Sequence, residues 1–420
     1  MSRLLLASTP FAGHVHPMAG LARALVARGH EVVFYTGAKY RAVVEDAGCR
    51  FLPFTAATDF DDTDPEPSFP AMRGGDGPAA MFSSFREIFF GTAPSQVHDI
   101  LDAHRGEPFE AVVAEMTCFG PMLAHELTGL PWVTLSLSPL GLSSPHLPPP
   151  GLPLAAGKSR AGRGRDAALR TLMDLTVNRT IGGLHNRARR AVGLPATSVL
   201  GMDPAYSSQL VLCQGVPELE PAQPGLPGHV HHIGDAAFGT RTVEPAPEWL
   251  EQLDGDRPVV HVTEGTLGRG HDSLVARAVE AFTGQGWQVV IGRRHGLADL
   301  PTDVIASDRV PHDQLLPRTD LFVTNGGYGG VLAALGHGVP VLIVPGEQDK
   351  PLVARNMRAA GVARVVSAKR ATTERLRATA RDILEDQAMA ARVQHIAHRM
   401  AEAGGADRAA RLVETLIDQP

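Results

Sequence analysis

Residues 324–330 read Thr-Asn-Gly-Gly-Tyr-Gly-Gly, set between the apolar run Leu321-Phe322-Val323 and the segment Val331–Leu335. A strand that ends in glycines and then opens a helix leaves backbone N–H groups uncovered at the positive end of the helix dipole, an arrangement that binds phosphate. The glycines also remove the Cβ atoms that would hold a bulky anion away. The second candidate for chemistry is His14, in Gly13-His14-Val15-His16-Pro17 after the first apolar run. An imidazole with an ordinary pKa of about 6.5 is mostly neutral near neutral pH and ready to accept a proton. The chain has 18 histidines, so residue type alone selects none of them. Position selects His14, and its neighbour His16 reads as a helix-start residue.

The elements that must hold these residues follow from hydrophobic periodicity. Leu4–Ser8 is an apolar run, Met18, Leu21, Ala22, Leu25 and Val26 recur at helical spacing, and Glu31–Thr36 is apolar and β-branched. This is a β-α-β unit, whose right-handed crossover begins a parallel doubly wound sheet. Ala111–Ala114, Trp132–Leu135 and Leu210–Leu212 are further strand candidates. A second series, Val259–Thr263, Val289–Gly292, Leu321–Thr324 and Val341–Val344, alternates with helical patterns. The expected fold class is therefore α/β, with two Rossmann-like doubly wound domains facing each other. Their expected spans are 1–216 and 248–405, joined by the proline- and glycine-rich stretch 217–247. Thr55–Pro78, with Asp59, Asp61, Asp62, Asp64 and Glu66, and Ser138–Asp166, with the basic stretch Lys158–Arg165, are expected to be irregular insertions, disordered or acceptor-binding.

A chain of 420 residues exceeds what one core usually organises. Its 44% hydrophobic and 20% charged residues are those of an ordinary globular protein. A net charge of −6 gives no reason to expect nucleic acid or an anionic membrane as partner. Cys49, Cys118 and Cys213 are few, odd in number and far apart, which points to a reducing compartment rather than a disulfide framework. Met1–Thr9 reads as a first strand rather than a signal peptide. No apolar stretch reaches the ~20 residues that span a bilayer, so the expected location is the cytoplasm. His229, His231, His232 and Asp235 invite a metal reading, but in an extended strand His229 and His231 face one side and His232 the other.

Three blocks in fixed order, Val310-Pro311-His312-Asp313-Gln314-Leu315-Leu316-Pro317, the Thr324–Gly330 turn, and Gly338-Val339-Pro340 through Gly346-Glu347-Gln348-Asp349-Lys350, resemble the sugar-nucleotide signature of the family 1 (UDP-glycosyltransferase-like) glycosyltransferases. Gly13–Pro17 and Arg28-Gly29-His30-Glu31-Val32 resemble that family's opening, so the likeness spans nearly the whole chain. The resemblance is to the actinobacterial enzymes that glycosylate antibiotics and other natural products. It implies the GT-B fold, with a C-terminal helix, 406–420, crossing back to the N-terminal, acceptor-binding domain. It implies an inverting, metal-independent transfer from a UDP- or dTDP-sugar to a hydroxyl or ring nitrogen of a small hydrophobic acceptor, with no bound cofactor, in a monomer or homodimer. Rivals of other classes are a non-catalytic nucleotide-sugar-binding partner protein and a sugar-nucleotide epimerase of similar fold.

Residue by residue, the resemblance makes His14 the base and Glu115, where the family commonly has an aspartate, the carboxylate that orients it. In the donor site, Arg309 stands where the family's base-stacking aromatic is usual, and Val310 contacts the base through its backbone. Gly326, Gly327, Gly329 and Gly330 receive the diphosphate, with the Thr266 hydroxyl approaching from another loop. Asn325 replaces a histidine that many relatives carry, so its amide is left to donate to phosphate and a nearby Arg or Lys to supply charge. Asp349 is expected to accept from sugar hydroxyls, with Lys350 in place of the usual glutamine.

Overall fold

In the computed structural model, residues 1–72, 77–237, 246–264, 274–292, 300–307 and 310–418 are described. They form two α/β units. The first comprises Met1–Gln214, Pro221–Thr240 and Ala403–Pro420, and the second Gly215–Glu220 and Arg241–Glu402.

The first unit holds seven strands, β1 (Arg3–Ala7), β2 (Glu31–Thr36), β3 (Arg50–Pro53), β4 (Ala111–Glu115), β5 (Trp132–Ser136), β6 (Leu210–Cys213) and β7 (Val230–His232). They lie in the order β3-β2-β1-β4-β5-β6-β7, every neighbouring pair parallel. Strand periodicity explains the layers. Leu5 and Ala7 pack into one core cluster with Val33, Tyr35, Val112 and Ala114, while Leu4 and Leu6 join the opposite cluster with Val32, Phe34, Ala111 and Val113. Both faces are covered, so β1 is apolar from Leu4 to Ala7, as buried parallel strands are. Each of Leu4, Leu5 and Leu6 is fully buried and contributes about 1.5–3 kcal/mol.

The helix Gly405–Ile417 buries Ala409, Ala410 and Val413 in the same cluster as the helix Ala12–Ala27, with Leu412, Leu416 and Ile417 packed at its margin. Glu414 pins it by accepting from the Arg28 guanidinium at 2.7 and 2.9 Å and meeting His30 Nε2 at 2.9 Å.

The second unit holds β8 (Val259–Thr263), β9 (Gln288–Gly292), β10 (Val304–Ser307), β11 (Leu321–Thr324), β12 (Val341–Ile343) and β13 (Ala363–Val365), in the order β10-β9-β8-β11-β12-β13, again all parallel.

Three expectations need correction. The 217–247 stretch is more than a linker: Val230–His232 is an edge strand of the first sheet, because its backbone completes the ladder on β6. Lys158–Arg165 is not irregular throughout, since the helix Arg160–Leu175 begins inside it, capped by Ser159 Oγ accepting from Gly162 N at 3.0 Å. The described part of the acidic insertion, residues 55–72, is tied down. The buried Asp99 accepts from the backbone amides of Thr55, Ala56 and Ala57, and Lys39 Nζ reaches Asp61 at 2.6 Å and Asp62 at 2.5 Å. Beyond it come the helix Gly77–Ser84, the π-helical turn Phe85–Phe89 and the helix Phe90–Gly106.

Two buried histidines set an acid limit on stability. His185 in the first unit is held down to about 4, by burial first and then by the Arg189 charge against the opposing pull of Glu126. His261 in the second unit is also held down to about 4, by burial outweighing its bond to the Val290 carbonyl. Each folded-state pKa lies below the unfolded value of about 6.5, so the unfolded chain binds more protons as the pH falls. Their stabilising share is complete above pH ~6.5 and lost as pH falls through ~4, at about 1.4 kcal/mol per pH unit for each histidine. Among the described residues neither ring nitrogen of His185 has a hydrogen-bond partner, so His185→Leu forfeits no polar contact. It is expected to flatten the acid decline in melting temperature of the first unit between pH 6.5 and 4.5. An unchanged decline would clear His185 of that role.

Candidate functional site

In the first unit the chemistry gathers at the carboxyl ends of β1 and β4, where doubly wound sheets bind ligands. His14 is the third residue of the helix Ala12–Ala27, one step beyond the turn expected for it. Its Nδ1 lies 3.3 Å from Glu115 Oε1 and 3.2 Å from Thr117 Oγ1. Glu115 ends β4 and is 1% exposed. Its carboxylate accepts from Thr9 N at 3.1 Å, from Thr117 N at 2.8 Å, and from Thr117 Oγ1 at 2.8 and 3.0 Å. Burial acts to raise this carboxyl, but His14 and the Thr117 donors outweigh it and hold the pKa below the ordinary glutamate range. Glu115 is therefore ionised and only accepts. Nδ1 of His14 must then carry the proton, which puts the basic lone pair on Nε2.

The helix that carries His14 has no side-chain cap of its own at Phe11. The acidic insertion supplies one: Asp62 Oδ2 accepts from Ala12 N at 3.0 Å and from the Tyr40 hydroxyl at 2.7 Å. A carboxylate there also complements the helix dipole. The same insertion brings Phe60 to 5.3 Å from the Phe11 ring, and Phe11 lies 5.2 Å from the His14 imidazole and 6.2 Å from Phe89. An apolar wall thus borders the base. His16 is exposed, its ring 6.4 Å from Tyr40.

In the second unit the glycine turn joins β11 to the helix Tyr328–Gly336. Gly326 has φ +93°, a conformation that favours glycine, and a Cβ there would also meet Ile343 Cγ2 at 3.1 Å. Gly327, the N-cap, has φ −58° and would admit any side chain. Steric need at Gly327 is thus not backbone strain: the nearest atom to an added Cβ is Asn325 Oδ1 at 3.9 Å, and around Gly329 nothing lies within 4 Å. Among the described residues nothing crowds the approach to the helix N-terminus at Gly327 and Gly329. A Cβ built on Gly330 would meet the Phe322 ring at an ordinary 3.5 Å.

Asn325 Nδ2 donates to the Glu264 carbonyl at 2.5 Å. That bond ties the end of β11 to the end of β8. Asp349 is the N-cap of the helix Lys350–Ala359, with Pro351 in its first turn. Just before it Gln348 takes φ +63°, a left-handed conformation that costs a non-glycine residue roughly 1–2 kcal/mol and marks a turn held for a purpose. Val310 packs at the margin of the cluster formed by Leu250, Val259, Val290 and Leu315. Arg309 and Thr266 lie outside the described residues. Among the described residues no three His, Cys, Asp or Glu side chains are grouped to hold a metal ion, His229, His231, His232 and Asp235 included.

Residues 287–416 match the erythromycin biosynthesis protein CIII-like C-terminal domain. Over 419 residues, 99% of this chain and 100% of the relative, the sequence is 33% identical to 4'-demethylrebeccamycin synthase of Lentzea aerocolonigenes. The chain belongs to the family 1 glycosyltransferases. Solved structures of similar fold include the glycotransferase of kitacinnamycin, with a TM-score of 0.75 at 22% identity, covering 99% of this chain and 98% of that one. Glycosyltransferase VinC in complex with dTDP aligns with a TM-score of 0.73 at 19% identity, covering all of both chains. The two Rossmann-like units of this glycosyltransferase thus have the GT-B fold. No helix among the described residues is long and apolar enough to cross a membrane.

The sequence of the glycosyltransferase pointed to His14 and Glu115, and the structure adds Thr117 beside them and Asp62 at the start of the helix that carries His14. Thr117 follows Glu115 by two residues, and a hydroxyl residue just beyond a strand-end carboxylate is a signal that could have found it. Asp62 offered none beyond being one of several acids in a proline-rich stretch.

Proposed function

We propose that this glycosyltransferase moves a sugar from a UDP- or dTDP-sugar to a hydroxyl or ring nitrogen of a small hydrophobic natural product, with inversion and without a metal. The observation that carries this is the His14–Glu115–Thr117 constellation, in a chain one-third identical to 4'-demethylrebeccamycin synthase along its whole length. In the step we propose, the acceptor proton passes to His14 Nε2 as the acceptor atom bonds to the anomeric carbon. The bond from that carbon to the diphosphate breaks, and the nucleoside diphosphate leaves with the electron pair. The N-terminus of the helix Tyr328–Gly336 favours the charge that develops there. The apolar wall of Phe11, Phe60 and Phe89 suits a hydrophobic acceptor beside the base. Cys49, Cys118 and Cys213 are all buried, and none is joined in a disulfide, as suits a protein of the reducing cytoplasm.

A thermal-shift panel of nucleotide sugars, followed by transfer assays with the donors that stabilise the protein, tests the reading, because ligands of the native state raise its apparent stability. No stabilisation by any UDP- or dTDP-sugar, and no transfer, would overturn it.

Within this reading Asp349 recognises the sugar. Leaving a buried hydroxyl without its acceptor costs about 1–3 kcal/mol, so Asp349→Ala is expected to lose roughly 5- to 150-fold in affinity for the intact sugar nucleotide. Affinity for free UDP or dTDP should barely change. Equal losses for both ligands would show that Asp349 supports the nucleotide pocket as a whole.

A further inference from the structure

We infer that Lys350 supplies the positive charge on the donor diphosphate, a duty separate from sugar recognition. The inference rests on the donor-site reading above and assigns within it the cation that the glycine turn lacks.

Helix-terminal amides alone contribute partial charges, whereas a diphosphate leaving group carries a full negative charge and more as its bond to sugar breaks. Asn325 brings no charge to the turn, and its amide is drawn to the Glu264 carbonyl. Lys350 is placed for the task. A Cβ built on Gly346 would fall 3.0 Å from Lys350 Cδ and 3.7 Å from Cε, and one built on Gly326 would fall 3.4 Å from Lys350 Cβ. The lysine stem therefore runs across Gly346 and beside the glycine turn. Gly346 N in turn donates to the Asn325 carbonyl at 3.0 Å, which fixes the two turns together at the carboxyl ends of the paired strands β11 and β12. Glycine at 346 leaves room for that stem, where any larger residue would displace it. Glu347 and Asp349 flank Lys350 in sequence, yet among the described residues no carboxylate lies within ion-pair distance of its ammonium. The charge remains available to a ligand. A lysine is a flexible point charge of this kind, suited to phosphate oxygens whose positions shift during the reaction.

The test separates phosphate from sugar. Calorimetry is run with thymidine, dTDP, UDP and a dTDP-sugar on the wild type, Lys350→Gln, Lys350→Arg and the double variant Asn325→His with Lys350→Gln. Loss of a charge-assisted bond should weaken dTDP and UDP binding to Lys350→Gln by about tenfold or more. Thymidine binding should be unaltered, Lys350→Arg should retain most of the affinity, and a histidine at 325 should restore part of it by returning a cation to the turn. If Lys350→Gln bound dTDP and UDP like the wild type and lost affinity only for the intact sugar nucleotide, Lys350 would be reading sugar and the assignment would fall. A wild type that bound neither nucleotide would instead overturn the donor-site reading itself.

Discussion

Replacing His14 by alanine is expected to lower the rate of sugar transfer by about 10²- to 10⁴-fold, the usual contribution of a positioned general base. The size follows from the tautomer. Glu115 and Thr117 hold the Nδ1 side at 3.3 and 3.2 Å, so the lone pair that takes the acceptor proton is on Nε2, and alanine removes it while leaving the Glu115 hydrogen bonds to Thr9 and Thr117 in place. Folding should survive, since the His14 side chain is 24% exposed and alanine is the best helix former. Affinity for dTDP or UDP should also survive, because the glycine turn belongs to the other unit. Turnover within a few-fold of wild type, measured with saturating donor, would remove His14 from the role of base.

Legibility in the sequence followed burial. The strands with continuous apolar runs, such as Leu4–Leu6 and Leu321–Val323, are fully buried on both faces and were read to within a residue or two. Arg50–Pro53, Val230–His232, Val304–Ser307 and Ala363–Val365 were not read as strands. Each is the edge of its sheet and each is partly exposed, so water relieves it of the apolar pattern that would announce it. At the site, residue type and family motif single out His14, Glu115 and the glycines, and the fold brings His14 against Glu115. What escaped was the support from distant or unremarkable positions. Asp62 reaches the helix of His14 from 50 residues away, and only a folded chain brings that carboxylate to the Ala12 amide. Of the two adjacent glycines Gly326 takes positive φ and Gly327 does not, a choice that depends on how the turn meets Ile343 and Lys350.

Glu115→Gln tests whether the carboxylate does more than fill space. The substitution keeps size and shape, but Thr9 N donates to Oε1 and Thr117 N to Oε2 of the carboxylate, so a single amide oxygen can serve only one of them. Its NH₂ must then point at His14 or at the Thr117 hydroxyl. Facing His14 Nδ1, it would demand an acceptor there, moving the imidazole proton to Nε2 and abolishing the base; facing Thr117, it would remove the charge that stabilises the imidazolium formed after proton transfer. Either outcome is expected to reduce kcat by about 10²- to 10⁴-fold, with little change in affinity for dTDP or UDP. Glu115→Asp keeps the charge but withdraws it by one methylene, and should retain more activity than the glutamine variant if charge matters more than reach. The measurement is kcat at saturating donor for the three proteins, with melting curves to show that all are folded. Should Glu115→Gln turn over within a few-fold of wild type, the carboxylate would be a structural acceptor for Thr9 and Thr117, and the orientation of His14 would have to come from Thr117 alone.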